Sequence, residues 1–295
     1  MARKTPLYLV DASIYIFRAY FSLPAAITDA RGQPNNAVFG YASFLAQLME
    51  KTGGEYFAFA FDEGLSQGFR TKLYPEYKAN RTPPDPDLKR QLQACRRLTK
   101  TLGFACYGSR AYEADDLIGS IARKVRNKDF HLFYLTNDKD YAQLMRPGDT
   151  LWNYAKDEIL RHKDIEPRYG VKPGQIIDWL ALAGDSIDNI PGVPGIGNKT
   201  AMDLLQRYRS LKRLYEKLHT LPDSGIRGAR RLHGLLLEHK EQAHLSWQLA
   251  RIEDKAPVKC AVNTLKKKRP RKEALHKLCD ELKFGEGLRE RLMQH

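Results

Sequence analysis

The sequence lacks most of what would assign it to a membrane, an oxidising compartment or a zinc site. Its 295 residues include four cysteines, Cys95, Cys106, Cys260 and Cys279, scattered without metal-ligand spacing or the pattern of a disulfide framework. They read as reduced thiols, which points to the cytoplasm. No stretch approaches the ~18 apolar residues of a membrane span. Met1-Ala-Arg-Lys-Thr-Pro runs into a strand-like segment with no signal-peptide core. Negative charge is scarce as well: 35 Asp and Glu face 49 Lys and Arg, a formal net charge of +14. Such an excess suits an acidic partner, nucleic acid first and an anionic membrane surface far behind. Solubility alone is the bland alternative. The hydrophobic share of 42% is that of a globular chain able to bury a core, as one large domain or two smaller ones.

Against that background the acids are unevenly placed. Asp11 closes the apolar run Leu7-Tyr8-Leu9-Val10, and Asp62 closes Tyr56-Phe57-Ala58-Phe59-Ala60-Phe61. Asp138 and Asp140 follow His131-Leu132-Phe133-Tyr134-Leu135 after a short turn. Glu113-Ala-Asp115-Asp116 and Asp185-Ser-Ile-Asp188 border helical segments. If the strands are parallel, their carboxyl ends meet on one sheet edge, where α/β folds place ligands. Carboxylates gathered there repel one another unless divalent cations sit between them. Two Mg²⁺ ions roughly 3.5–4 Å apart can clamp a phosphodiester, one activating water and the other stabilising the leaving oxygen. The clusters hold neither Cys nor His, which argues against zinc. Taken singly, each acid has a plainer reading as a helix cap; the joint pattern is what favours a metal site.

The alternation of strand-like and helical stretches predicts an α/β domain over 1–165 with a mostly parallel sheet. Strands are expected near 7–11, 56–61, 104–108, 131–136 and 151–154, and helices near 13–20, 36–52, 85–102, 114–127 and 138–145. From 166 to 260 helical stretches take over. Residues 261–295 open with Lys266-Lys267-Lys268-Arg269-Pro270-Arg271-Lys272, a proline-broken basic run expected to be a flexible tail that orders on a phosphate backbone.

Ile190-Pro191-Gly192-Val193-Pro194-Gly195-Ile196-Gly197-Asn198-Lys199-Thr200-Ala201 looks like a helix–hairpin–helix turn. Its glycines let backbone approach a phosphate, and Lys199 adds a point charge. The stretch from Phe69-Arg70-Thr71-Lys72 through Tyr77-Lys78-Ala79-Asn80-Arg81 interleaves basic and aromatic side chains, a composition suited to single-stranded nucleic acid. The plainer alternatives are an interhelix turn with no ligand for the first and a solvated surface loop for the second.

These blocks together resemble the 5′ nuclease family: flap endonucleases and the 5′→3′ exonuclease domain at the front of bacterial DNA polymerase I. The resemblance runs from about residue 6 to 260 and is carried by Val10-Asp11-Ala12-Ser13, Phe17-Arg18-Ala19-Tyr20, Ala60-Phe61-Asp62, Tyr77-Lys78-Ala79-Asn80-Arg81, Glu113-Ala114-Asp115-Asp116, Thr136-Asn137-Asp138-Lys139-Asp140 and Gly184-Asp185-Ser186-Ile187-Asp188-Asn189. Leu245-Ser246-Trp247-Gln248-Leu249-Ala250-Arg251-Ile252 is similar to the stretch closing the polymerase-linked domain. Ala12, Asn35 and Ile187 depart from the usual residues, and none of these changes removes an acid.

The resemblance implies a PIN-like 5′ nuclease domain with a helical arch near 66–100, followed by a helical DNA-binding domain. It implies a first metal on Asp11, Asp62 and Asp115, with Glu113 and Asp116 acting directly or through water. A second would sit on Asp138, Asp140 and Asp185, with Asp188 further out. Mg²⁺ is the implied ion and Mn²⁺ its substitute. Lys78 and Arg81 would meet the scissile phosphate, Arg70 would lie at the arch base among the DNA contacts, and Phe17 would stack on a base. Gly192, Gly195, Gly197 and Lys199 would grip duplex. K⁺ would be held by the backbone carbonyls of Leu182, Ala183, Pro191, Val193 and Ile196. The implied activity is cleavage of DNA at a 5′ flap, nick or free 5′ end in replication and repair, by a monomer, with RNA primer segments as further substrates. A standalone enzyme is expected over a fragment. Two rivals stay open: a non-catalytic junction binder, and a ribonuclease of the related PIN fold.

Overall fold

The computed structural model describes residues 4–63, 68–126 and 128–294. Expectations falling on 1–3, on 66–67 at the start of the arch, on the helix end at 127 and on 295 lie outside the described residues. Six strands, β1 (Thr5–Asp11), β2 (Tyr56–Asp62), β3 (Ala105–Ser109), β4 (Phe130–Leu135), β5 (Thr150–Asn153) and β6 (Glu158–Arg161), form one sheet in the order β3-β2-β1-β4-β5-β6. The first five are mutually parallel and β6 returns antiparallel to β5. Asp11 pairs with Ala60 and Val10 with Leu135, so β1, β2 and β4 finish on a common edge.

The central strands are apolar throughout because both faces are covered. Successive side chains alternate: Leu7 and Leu9 join one core, Tyr8 and Val10 the other. The second core is completed by α1 (Ala12–Ser22), α2 (Asn36–Thr52) and α4 (Pro86–Thr101), while α3 (Phe69–Leu73) is a short turn of helix before α4. The first core is covered by α5 (Ala114–Val125), whose Leu117, Ile118, Ile121, Ala122 and Val125 follow helical spacing. That core continues without a break into the helical part, α6 (Ile165–Tyr169), α7 (Ile176–Ala183), α8 (Asn198–Tyr208), α9 (Leu211–Glu216), α10 (Ala229–Glu238) and α11 (Lys240–Ala250). The helical part therefore packs on the same sheet face as α5.

Three local expectations change. The stretch expected as a helix at 138–145 is a 3₁₀ segment, Lys139–Leu144, capped by Asp138, whose side chain accepts from Asp140 N. Strand β6 and helix α3 carry too few apolar residues to announce themselves. The largest correction concerns the C-terminal run, which folds as α12 (Val262–Leu265), α13 (Lys272–Glu281) and α14 (Glu286–Met293). Lys267 N donates to Glu55 O and Lys268 N to Gly103 O, which ties the basic run to the sheet edge opposite the carboxyl ends. Behind it, Leu275, Leu278, Cys279 and Leu282 recur at i, i+3, i+4 and i+7 and enter the α2 core together with Phe284 and Leu292. That periodicity, masked by the surrounding charge, makes the segment part of the fold.

Candidate functional site

The sheet's carboxyl edge opens into a cleft of about 510 Å³ lined by Asp11, Asp62, Glu113, Asp115, Asp138, Asp140, Asp185 and Asp188, with Phe17 on its wall. Each acid arrives from a chain reversal. Asp11 and Asp62 end β1 and β2, Glu113 and Asp115 open α5, Asp138 and Asp140 open the 3₁₀ segment, and Asp185 and Asp188 follow α7. Ser13 Oγ accepts from Asp62 N (3.1 Å), and Asp62 Oδ1 accepts from Ala114 N (2.8 Å), fastening β2 to the starts of α1 and α5. Tyr141, fully buried, donates its hydroxyl to Asp11 Oδ2 at 3.0 Å.

Burial and crowding set the electrostatics. Burial first, then Asp62, pushes the Asp11 carboxyl well above the ordinary range. Burial and Glu113 raise Asp62, and burial and Asp116 raise Asp115 strongly. Burial raises Asp138, and burial with Asp138 as neighbour pushes Asp140 up to about 7. Asp185 moves the other way: burial would raise it, but Lys139, 2.5 Å away, and two backbone N–H groups hold it below the usual value.

Three cations reach among these acids. Lys78 Nζ lies 2.7 Å from Glu113 and 3.5 Å from Asp188, and Arg81 Nη2 lies 2.5 Å from Asp188. Lys139 Nζ, beside Asp185, is also 3.2 Å from Asp140. Lys78 holds a left-handed backbone (φ 55°), and its N–H donates to Asp188 O at 3.0 Å. Asn80 Nδ2 donates to Ser186 O (2.8 Å) and Asn189 Nδ2 to Glu76 O (2.7 Å), so the strap between α3 and α4 is laced to the turn after α7.

The donor set is oxygen throughout and fits a hard divalent cation. Asp11 Oδ1 and Asp140 Oδ1 are buried and take part in no hydrogen bond among the described residues; this leaves Asp11 Oδ1 available to an ion, whereas Asp140 Oδ1 has the Lys139 ammonium 3.2 Å away. Among the described residues no three such side chains are drawn into a closed metal cage. Mg²⁺ commonly takes only one or two carboxylates and keeps its waters.

Two expected site residues stand elsewhere. Asp116 is fully buried and faces away from the cleft: Arg70 Nη1 and Nη2 grip its oxygens at 2.8 and 2.7 Å, and Glu113 N and Glu253 N donate to it as well. Arg70 is 3% exposed and also donates to Leu249 O and Arg251 O. A DNA contact by Arg70 and ion binding by Asp116 are thus corrected to a buried ion pair, because all their polar atoms are used internally. Lys139 and Tyr141 went unnoticed in the sequence. The first stood in plain view within Asp-Lys-Asp, whereas nothing local marked the second.

The hairpin turn lies apart from the cleft. Gly192 (φ 62°) has to be glycine, since an added Cβ would sit 2.3 Å from Gly184 N. Gly195, Gly197 and Lys199 are exposed at the start of α8. Of the five carbonyls expected around K⁺, Leu182 O already accepts from Val193 N and Val193 O from Ile196 N.

Family models for the 5′-3′ exonuclease N-terminal resolvase-like domain and the 5′-3′ exonuclease C-terminal SAM fold match residues 6–170 and 171–273. The chain belongs to the 5′-3′ exonuclease family. It is 32% identical over 256 residues to a 5′-3′ exonuclease of Buchnera aphidicola subsp. Schizaphis graminum, covering 87% of this chain and 89% of that one. It is 40% identical over 286 residues to DNA polymerase I of Pseudomonas aeruginosa, covering 97% of this chain and 31% of that one. The chain thus spans about a third of that polymerase, and the similarity extends past residue 260 into the C-terminal helices. In fold it matches a bacteriophage T5 flap endonuclease solved as a pseudo-enzyme–product complex with DNA and metal ions, with a TM-score of 0.69, 20% identity, and coverage of 98% of this chain and 97% of that one.

Proposed function

We propose that this member of the 5′-3′ exonuclease family is a structure-selective nuclease that hydrolyses one DNA phosphodiester near the junction of a 5′ single strand with duplex. The observation that carries this reading is the cleft: eight acids line one cavity, with Lys78 and Arg81 among them, in a chain of net charge +14. A non-catalytic binder would gain nothing from carboxylates beside phosphates. Two divalent cations held there, Mg²⁺ or in its place Mn²⁺, would neutralise the phosphate and acidify the attacking water. Asp11, Asp62 and Asp115 with Glu113 form one oxygen set, and Asp138, Asp140 and Asp185 with Asp188 the other. Lys78 and Arg81 would move from Glu113 and Asp188 onto the scissile phosphate. Phe17 would pack on the neighbouring base, while Gly195, Gly197 and Lys199 hold the duplex; Gly192, expected among them, is buried with its N–H and C=O bonded to Ser246 and Gln242, and shapes the turn from behind. The carbonyls of Leu182, Ala183, Pro191, Val193 and Ile196 would offer their free lone pairs to K⁺.

Flaps, nicks and free 5′ ends, with RNA in primer flaps, are the substrates this reading assigns to a cytoplasmic, monomeric enzyme of replication and repair. The test compares flap DNA, nicked duplex, blunt duplex and RNA, each with Mg²⁺ and with excess chelator. Flap DNA is expected to be cut only with Mg²⁺, and cleavage persisting in chelator overturns the reading. Preference for plain RNA would favour the ribonuclease alternative. Lys78→Ala is expected to slow single-turnover cleavage far more than it weakens flap binding; equal losses would remove Lys78 from the phosphate.

A further inference from the structure

Helix α11, which holds most of the 245–252 stretch, is fastened at both ends, and the two ends serve different machinery. Near its start Gln242 Nε2 donates to Gly192 O (2.9 Å) and Ser246 Oγ accepts from Gly192 N (3.0 Å). These residues are i and i+4 on one helix face, so a single face holds both the N–H and the C=O of the hairpin glycine. Roughly 10 Å further along, at 1.5 Å per residue from Gln242 to Leu249, the chain is gripped by the elements that carry the acids. Arg70 donates to Leu249 O (2.9 Å) and Arg251 O (2.7 Å) while clasping Asp116, the neighbour of Asp115. Gln143, on the 3₁₀ segment with Asp140, donates to Ala250 O (3.0 Å) and accepts from Ile252 N (2.9 Å). Ser120 of α5 donates to Glu253 O (3.1 Å) and accepts from Ala256 N (2.8 Å).

We propose that α11 and these clasps act as a spacer, setting the distance from the duplex-holding turn to the carboxylates and so which phosphodiester is cut. Arg70, Gln143, Gln242 and Ser246 are its positioning residues. The proposal rests on the nuclease reading above. Arg70 suits this role because its planar fork makes four hydrogen bonds, to two carbonyls and to both oxygens of one carboxylate, where an ammonium has only three N–H to give. None of the four lines the cleft; Gln143, Gln242 and Ser246 are hydrogen-bonded to none of its acids, so altering them changes only how the acids are aimed, and Arg70→Lys keeps a cation near Glu113, 3.6 Å from Arg70.

The test uses full-length protein and a labelled 5′-flap DNA whose product is mapped at single-nucleotide resolution. Binding is measured in chelator and the single-turnover rate in Mg²⁺. Gln143→Ala, Ser246→Ala and Arg70→Lys are expected to spread the product over adjacent phosphodiesters. Their single-turnover rates should drop by up to about a hundredfold, the scale of an ångström-sized misplacement, with flap Kd unchanged. Gln242→Ala, at a half-buried position, should show the same spreading more weakly, and it keeps the comparison open if a buried variant does not fold. Folded variants that cut only at the wild-type phosphodiester, with rates falling in step with Kd, overturn the spacer. Wild-type protein that leaves the flap uncut would instead defeat the nuclease reading, which separates the two failures.

Discussion

The cleft and the hairpin turn treat charge in opposite ways. In the cleft, eight acids converge with three cations, most of the carboxyls rise above their ordinary values, and the buried Asp11 Oδ1 accepts no hydrogen bond among the described residues. At the turn, Gly195, Gly197 and Lys199 stand in solvent, and the buried Gly192 is held from behind by α11. A surface that meets a polyanion can stay hydrated and exchange its counterions freely. A site that must gather positive ions has to hold negative charge in place before they arrive. Electrostatic strain therefore collects at the cleft alone.

The sharpest way to break that comparison is to neutralise a cleft acid. Asp115→Asn and Asp138→Asn are each expected to reduce cleavage to background while flap binding persists, since a negative charge near phosphate is removed. Loss of binding in step with cleavage would make the acids structural.

A second effect, smaller and thermodynamic, separates the regions by pH. Asp140 is pushed up to about 7 from an ordinary 3.8. Between those values the metal-free folded protein holds more protons than the unfolded chain. Its contribution to stability is therefore present below 3.8 and is lost as pH rises through about 7. Mg²⁺ binds the carboxylate form, so it should raise Tm more above about pH 7 than below it. A pH-independent increment, measured by thermal melting with and without chelator, would remove the link between these acids and the ion.

The smallest effects test the basic surfaces. Lys199→Ala should reduce the slope of log K against log salt for flap binding by about 0.9, the value for one phosphate contact. Lys268→Ala should leave that slope unchanged, because its backbone is tied to Gly103 on the opposite edge of the sheet. A change with Lys268 and none with Lys199 would reverse the assignment of the two faces.

Much of the cleft was legible because Asp11 and Asp62 directly follow apolar runs and Asp138 comes one short turn after another, and a parallel sheet brings such ends together. Capping logic was legible too: Asp138 both caps its 3₁₀ segment and lines the cleft, so a capping role does not keep it out of the cleft. Asp116 and Arg70 could not be sorted in this way. Asp116 belongs to a motif block shared with the family and Arg70 to the basic and aromatic stretch before it, and only packing shows that they spend their charges on each other. The C-terminal helices were hidden for the opposite reason, since a conspicuous basic run drew attention from the apolar spacing behind it.

By itself the sequence determined the α/β framework, the glycine turn and the list of acids, because these follow from local periodicity, backbone permissiveness and strand ends. Tertiary structure alone decided which acids face the cleft, which cations enter it, and how α11 joins the turn to the carboxylates. Those relations depend on side chains far apart in the chain, Arg70 with Leu249 and Asp116, Gln143 with Ala250, Ser246 with Gly192. No local rule of propensity or charge specifies such pairs. They form only when α11 packs against the hairpin turn and when α3, α5 and the 3₁₀ segment close around its end, bringing their polar atoms within hydrogen-bonding reach.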